Sequence, residues 1–194
     1  MEVYLIRHTT PEVAKGVCYG RTDLPVREVT FAGELASIRQ LLPDGIVDWY
    51  SSPLQRCRVL TEAFTDRYLI DDRLQELDFG TWEGCRWDAI DRPALDAWSE
   101  DFVYAAPPQG ESFHSLHLRT RPLMYELLEK QLERVAIVTH AGNIRSTICH
   151  ALGLPLEHAF RIAVGYGSVT HLHLLADERM NQLVSLSQSR DSLL

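Results

Sequence analysis

Two apolar runs in this chain each end in a histidine. Leu5-Ile6-Arg7-His8 stands near the start, and Val135-Ala136-Ile137-Val138 leads into Thr139-His140-Ala141-Gly142-Asn143 much later. A third run, Ile46-Val47-Asp48-Trp49-Tyr50, leads into Ser51-Ser52-Pro53-Leu54-Gln55-Arg56. Brought together, Arg7, Arg56, His8 and His140 would form a cluster of cationic groups that repel one another. A dianion is the natural partner of such a cluster. The planar fork of arginine pairs bidentately with phosphate oxygens. One neutral imidazole can then attack phosphorus while the other groups clamp the oxygens. Taken singly, a histidine after a strand is usually structural and an arginine is usually on the surface. The recurrence after three separate runs carries the reading.

Those runs must be strands whose ends meet. Open α/β sheets bind ligands at the carboxyl ends of their strands. Residues 2–6 and 46–50 read as strands, with a loop over 7–27 and a helix over 30–42 ended by Pro43-Asp44-Gly45. After Tyr50 the pattern predicts a helix with Ser52 as N-cap and Pro53 at its first position. Residues 68–70 form a short strand, 71–84 an irregular acidic stretch, and 88–102 a helical, aromatic-rich piece around Pro93. Residues 112–133 are largely helical with a break or kink at Pro122. The strand at Val135 follows, then a helix over about 143–152 and strands over 168–175 and 182–186. Alternation of strands and helices implies an α/β fold: a three-layer α/β/α arrangement with a mostly parallel mixed sheet flanked by helices. The chain reads as one domain over 1–194, with about 82–108 leaving the sheet as a candidate lid.

Composition narrows the partners. The net charge of −8 argues against nucleic acid, whose binders cluster basic residues. It also makes any cationic pocket local. No apolar run approaches the roughly 18 residues that span a membrane, and the N-terminus has no basic, then apolar, leader pattern. Cytoplasmic localisation is the expectation. The four cysteines, Cys18, Cys57, Cys85 and Cys149, form no C-x-x-C pair, so they read as reduced thiols. Cys57 lies beside Arg56 and reads as a small, passive buried residue.

Four motifs carry a wider resemblance: Leu5-Ile6-Arg7-His8, Ser51-Ser52-Pro53-Leu54-Gln55-Arg56-Cys57, Leu74-Gln75-Glu76-Leu77-Asp78-Phe79-Gly80-Thr81-Trp82-Glu83-Gly84, and Val138-Thr139-His140-Ala141-Gly142. In this order the chain resembles the histidine phosphatase (phosphoglycerate mutase-like) superfamily along nearly its whole length. The resemblance implies a phosphoglycerate mutase-like fold and a metal-independent phosphomonoesterase. His8 would be the nucleophile and pass through phosphohistidine. Arg7, Arg56 and His140 would clamp the phosphoryl oxygens. Glu76 would give a proton to the leaving oxygen and later activate water. Spacing alone also admits Asp78 or Glu83 in that role; the family pattern selects Glu76. No cofactor and no metal are expected, because the arginines and His140 supply the charge.

The sequence departs from the family pattern at Thr9, Ala14 and Ala141, where glycine, asparagine and glycine are frequent. The finer phosphate contacts would then fall to the Thr9 or Thr10 hydroxyl. Free N–H groups where a helix starts at Asn143 could add to them. The segments Arg7-His8-Thr9-Thr10-Pro11, Cys18-Tyr19-Gly20-Arg21-Thr22-Asp23-Leu24-Pro25-Val26 and Phe79-Gly80-Thr81-Trp82-Glu83-Gly84 look most like the α-ribazole phosphatase group. That implies hydrolysis of α-ribazole 5′-phosphate in cobalamin biosynthesis. A broad or sugar-phosphate phosphatase, a mutase and a non-catalytic phosphate-ligand binder are the alternatives. The expected partner is a small phosphomonoester. Oligomerisation is left open.

Trp82, Trp87, Trp98, Phe102 and Tyr104 either offer a stacking face for a flat base or fill a core of the lid itself. Ser112 either borders the pocket or caps the next helix. His171 and His173, two residues apart, could place two imidazoles on one strand face as metal ligands do, without an evident third ligand. His114, His117, His150 and His158 read as helix or loop residues without partners.

Overall fold

The structure is a computed structural model and describes residues 1–188. A six-stranded sheet runs through its centre in the order β3-β2-β4-β1-β5-β6. Its strands are β1 (Glu2–Arg7), β2 (Asp48–Ser51), β3 (Leu69–Ile70), β4 (Arg134–Thr139), β5 (Val169–His173) and β6 (Gln182–Gln188). β3, β2, β4 and β1 are mutually parallel, while β5 and β6 complete the sheet antiparallel. The helices are α1 (Glu28–Leu41), α2 (Gln55–Glu62), α3 (Arg92–Glu100), α4 (Phe113–Glu129) and α5 (Ala141–Ala151).

The two central strands are apolar along their length because both faces are covered. Val3 and Leu5 of β1, with Val135 and Ile137 of β4, pack against α4 and α5 through Leu116, Leu123, Leu127, Ile144 and Ile148. The alternate residues Tyr4, Ile6, Ala136 and Val138 meet α1 and α2 through Ile38, Cys57 and Leu60. This is the three-layer α/β/α arrangement around a mostly parallel mixed sheet that the sequence predicts.

Three local expectations are corrected. Ser52 does not cap α2: the helix starts at Gln55 with Leu54 at the N-cap and no side-chain capping bond. The Ser52 hydroxyl instead faces His140. Helix α4 is unbroken at Pro122. Its buried apolar stripe on both sides of the proline holds it to the sheet despite the lost N–H. Helix α5 starts at Ala141, with His140 as N-cap, two residues before the expected Asn143. Ser112 does cap α4, its Oγ accepting from Ser115 N at 3.1 Å.

Residues 82–108 make a 3₁₀ turn at Trp87–Ala89 and then α3, whose first turn contains Pro93 and whose N-cap Asp91 accepts from Ala94 N. Cys18, Trp82 and Ile90 form a small separate core joined by Phe79, Trp87 and Trp98. Gly80 has φ of +54°, and a Cβ there would run into the Pro108 carbonyl. Only glycine lets the 78–80 turn lie directly on the chain returning through 108–110. Thr81 N donates to Pro108 O at 3.0 Å across that approach.

Candidate active site

Register brings the two histidines together. Arg7 of β1 is paired with Thr139 of β4, so the next residues, His8 and His140, leave the sheet side by side. His8 N donates to Thr139 O, and Ser52 N donates to Val138 O, each at 3.0 Å. The strand ends of β1, β4 and β2 therefore open together. The rings of His8 and His140 are 5.0 Å apart between centroids and inclined at 61°.

The protonation state of His8 follows from its contacts. Its Nδ1 lies 2.7 Å from the carbonyl oxygen of Thr9, which can only accept. Nδ1 therefore carries the proton and Nε2 keeps its lone pair. Burial pushes the His8 pKa well below the ordinary imidazole value, and the charges of Arg56 and Arg7 push it further the same way. His140 is lowered well below that value by the same causes, with burial first. Its Nε2 lies 2.8 Å from Ser52 Oγ and 3.5 Å from Cys57 Sγ. Burial pushes the Cys57 thiol up to about 12, so it stays a passive neighbour.

These shifts set a pH dependence. In the unfolded chain both imidazoles take up protons near pH 6.5; in the folded chain they remain neutral to lower pH. Below pH 6.5 the unfolded state binds more protons, and the stability present above that pH is lost progressively as pH falls. Imidazole proton resonances of His8 and His140 are expected to stay flat as pH falls from 8 through 6.5, where ordinary imidazoles titrate. Resonances of either ring moving at pH 6.5 would contradict this assignment.

The arginines converge on the same place. Arg56 is fully buried, its two terminal nitrogens donating to Thr22 O and Gly20 O at 2.7 and 2.6 Å. Arg7 donates to Val164 O at 2.6 Å. The Nε of each is buried without a hydrogen-bond partner. Glu76 completes the set. Its Oε1 accepts from Leu77 N at 3.0 Å and Gly142 N at 3.1 Å, while Oε2 takes a 3.2 Å contact from Gly142 N. A Cβ at Gly142 would collide with the Glu76 carboxylate, so glycine there permits the approach. The loop bearing Glu76 is held from behind: Arg119 donates to the carbonyls of Gln75 and Glu76, and Thr139 Oγ1 to that of Leu74.

A cavity of about 640 Å³ opens over this group. Arg7, His8 and Glu76 line it, whereas Arg56 and His140 lie buried behind the wall. Phe79, Trp87, Tyr19 and Tyr166 supply aromatic surface, and Lys15, Arg27 and Arg145 supply further cations. Tyr166 and Arg145 stand outside every motif singled out in the sequence. Only the position of Arg145, one turn after His140 on α5, could have pointed to it.

The other expected residues fall differently. Thr9 is fully buried beside His8, its hydroxyl without a partner. Thr10 is engaged elsewhere, its N–H and hydroxyl both donating to Glu34 at 2.8 and 2.6 Å. Asn143 stands in the first turn of α5, and its side chain supports the loop bearing Glu76. Its Nδ2 donates to the carbonyls of Leu74 and Gln75, and its Oδ1 accepts from Thr120 at 3.0 Å. The competing carboxylates are also engaged. Glu83 accepts from the backbone of Arg21, Thr22 and Phe79, and Asp78 accepts from Gly80 N and pairs with Arg21. Trp82 and Trp98 belong to the small core, while Trp87 reaches the cavity. His171 and His173 both face Glu2. His117 has a partner after all, Ser146 Oγ at 3.0 Å. Among the described residues, no three His, Cys, Asp or Glu side chains gather as metal ligands, and no helix is long and apolar enough to cross a membrane.

The model of the histidine phosphatase superfamily (branch 1) matches residues 3–187. The chain belongs to this superfamily. The adenosylcobalamin/α-ribazole phosphatase of Escherichia coli is 28% identical over 86% of this chain and 87% of that protein. A Hydrogenobacter thermophilus protein named as a phosphoserine phosphatase is 26% identical over 89% of each chain. A mycobacterial glucosyl-3-phosphoglycerate phosphatase structure superimposes with a TM-score of 0.85 at 25% identity, covering 97% of this chain and 99% of that one. The chain is a phosphatase of this superfamily, acting on a small phosphate ester.

Proposed function

We propose that the chain hydrolyses phosphomonoesters through a phosphohistidine on His8, with no metal required. The observation that carries this is the His8–Thr9 hydrogen bond, which leaves Nε2 as a free nucleophile just past the end of β1, in the field of Arg56 and Arg7. In the first step Nε2 forms a bond to phosphorus, the ester P–O bond breaks, and Glu76 gives a proton to the leaving alkoxide. In the second, Glu76 takes a proton from water, whose oxygen attacks phosphorus as the P–N bond breaks. Arg7, Arg56 and His140 stabilise the equatorial oxygens in both steps. Thr9, with its unpartnered buried hydroxyl, is a further donor to the phosphoryl group.

The substrate that we propose is α-ribazole 5′-phosphate. Phe79 and Trp87 offer the cavity an aromatic wall suited to a flat base, and the Escherichia coli relative bears that activity in its name. Residues 82–108, which bring Trp87 to the cavity, would act as the lid. A second reading has its own observation. Lys15, Arg145 and Arg27, the last paired with Glu12, line the cavity beyond the phosphoryl site, and among the described residues Glu76 is the one carboxylate in its lining. That surplus favours an ester with a second anionic group, as in phosphoserine or a phosphoglycerate.

Phosphate release in the presence of EDTA separates these readings. The expected result is a kcat/KM for α-ribazole 5′-phosphate well above those for phosphoserine, 3-phosphoglycerate, sugar phosphates and p-nitrophenyl phosphate. Preference for a carboxylated ester would favour the second reading. Activity abolished by EDTA and restored by a divalent cation would contradict the metal-free mechanism.

A further inference from the structure

Arg7 and Arg56 both act on His8, so two like charges stand close together. Neither has a carboxylate ion-pair partner among the described residues. Buried cations without a counter-charge are costly and would drive each other apart. Carbonyl oxygens hold part of each guanidinium. The rest of the support is aromatic. The Arg7 guanidinium carbon lies 3.8 Å from the centroid of the Tyr166 ring, and that of Arg56 lies 5.5 Å from the Tyr19 ring. Both are within cation–π range.

The two tyrosines come from loops 147 residues apart, yet their hydroxyls hydrogen-bond to each other, and both rings line the cavity. The Tyr166 ring also leans on His8, 5.6 Å between centroids. A continuous path therefore runs from Arg7 through Tyr166 and Tyr19 to Arg56. A carboxylate in this place would hold the arginines more strongly, but it would also repel a phosphate dianion. Ring faces and carbonyls offer only partial negative charge, so they orient the arginines without cancelling the positive field that a phosphate dianion meets.

We propose that Tyr19 and Tyr166 are positioning residues that act as one unit, fixing Arg7 and Arg56 at the spacing the phosphoryl oxygens need. This rests on the reading of the His8 pocket as the phosphoryl site. The tyrosines touch the arginines and each other, and move no proton in the reaction.

The test uses orthovanadate, which adopts the geometry of the transferring phosphoryl group, and inorganic phosphate. Each is titrated calorimetrically into the wild type, Tyr166→Leu, Tyr166→Phe, Tyr19→Phe and the double phenylalanine variant, with melting temperatures in parallel. Tyr166→Leu should weaken vanadate binding about tenfold, the scale of a lost cation–π contact between the exposed and desolvated limits, and weaken phosphate binding less. Tyr166→Phe keeps the ring and should restore most of that loss. The single phenylalanine variants should share one small defect, about threefold, and the double variant should be no worse than either, because all three break one bond. Vanadate affinity in Tyr166→Leu within twofold of wild type would overturn the proposal. So would phenylalanine defects that multiply. If Tyr166→Leu does not fold, the phenylalanine cycle decides alone. Vanadate failing to bind the wild type would instead overturn the phosphoryl-site reading beneath it.

Discussion

Replacing His8 with alanine is expected to lower turnover by at least roughly 10⁴-fold, the scale seen when a covalent nucleophile is removed. No other group can take its place. His140 is the nearest imidazole, but its Nε2 faces Ser52 and Cys57. The Cys57 thiol, pushed up to about 12, is not a thiolate at working pH. The variant should still bind phosphate, because Arg7 and Arg56 are anchored by Val164, Gly20 and Thr22 and not by His8. Phosphate release and phosphate binding measured on the same preparation check both halves. Turnover near the wild-type rate would refute the role of His8.

Glu76→Gln is expected to lower kcat by about 10²–10⁴-fold on an alkyl phosphate, the usual weight of general acid–base catalysis. Glutamine fills the same volume and can still accept from Gly142 N, so the loop should keep its place. The defect should depend on the leaving group. p-Nitrophenolate leaves without a proton, so its release should show a burst equal to the enzyme concentration, followed by slow hydrolysis of the phosphoenzyme. An alkyl ester should show no burst. Equal defects without a burst on both substrates would contradict an acid role in the first step. Rescue by another carboxylate is not expected, since Glu83 and Asp78 are tied to loop backbone and to Arg21.

The sequence made the site legible where strand ends dictated it. Apolar runs buried on both faces had to be central strands, and Arg7-His8, Ser51-Ser52 and Thr139-His140 had to leave them at one edge. The choice of Glu76 over its neighbours came from resemblance; in the structure Glu76 lines the cavity, and Glu83 and Asp78 do not. Side chains whose role is set by distant loops were not legible. The loop-supporting role of the Asn143 amide was not legible, because its partners are the carbonyls of Leu74 and Gln75, far away in sequence. Ser52 looked like a helix cap and is a neighbour of His140. Tyr166 carries no local signal, since its partners, Arg7 and Tyr19, are at least 147 residues away in sequence. Periodicity and capping rules see only a few residues along the chain, and these contacts are tertiary.

The central claim is the covalent phosphoryl group on His8. Rapid acid-free quenching of the enzyme during turnover of ³²P-labelled p-nitrophenyl phosphate, whose leaving group needs no proton, followed by alkaline peptide mapping, is the test. The expected result is an alkali-stable, acid-labile phosphoryl group on the peptide that contains His8, approaching one per chain in Glu76→Gln. Steady turnover with no labelled peptide in that variant, or with the label on a peptide containing His140, would contradict it.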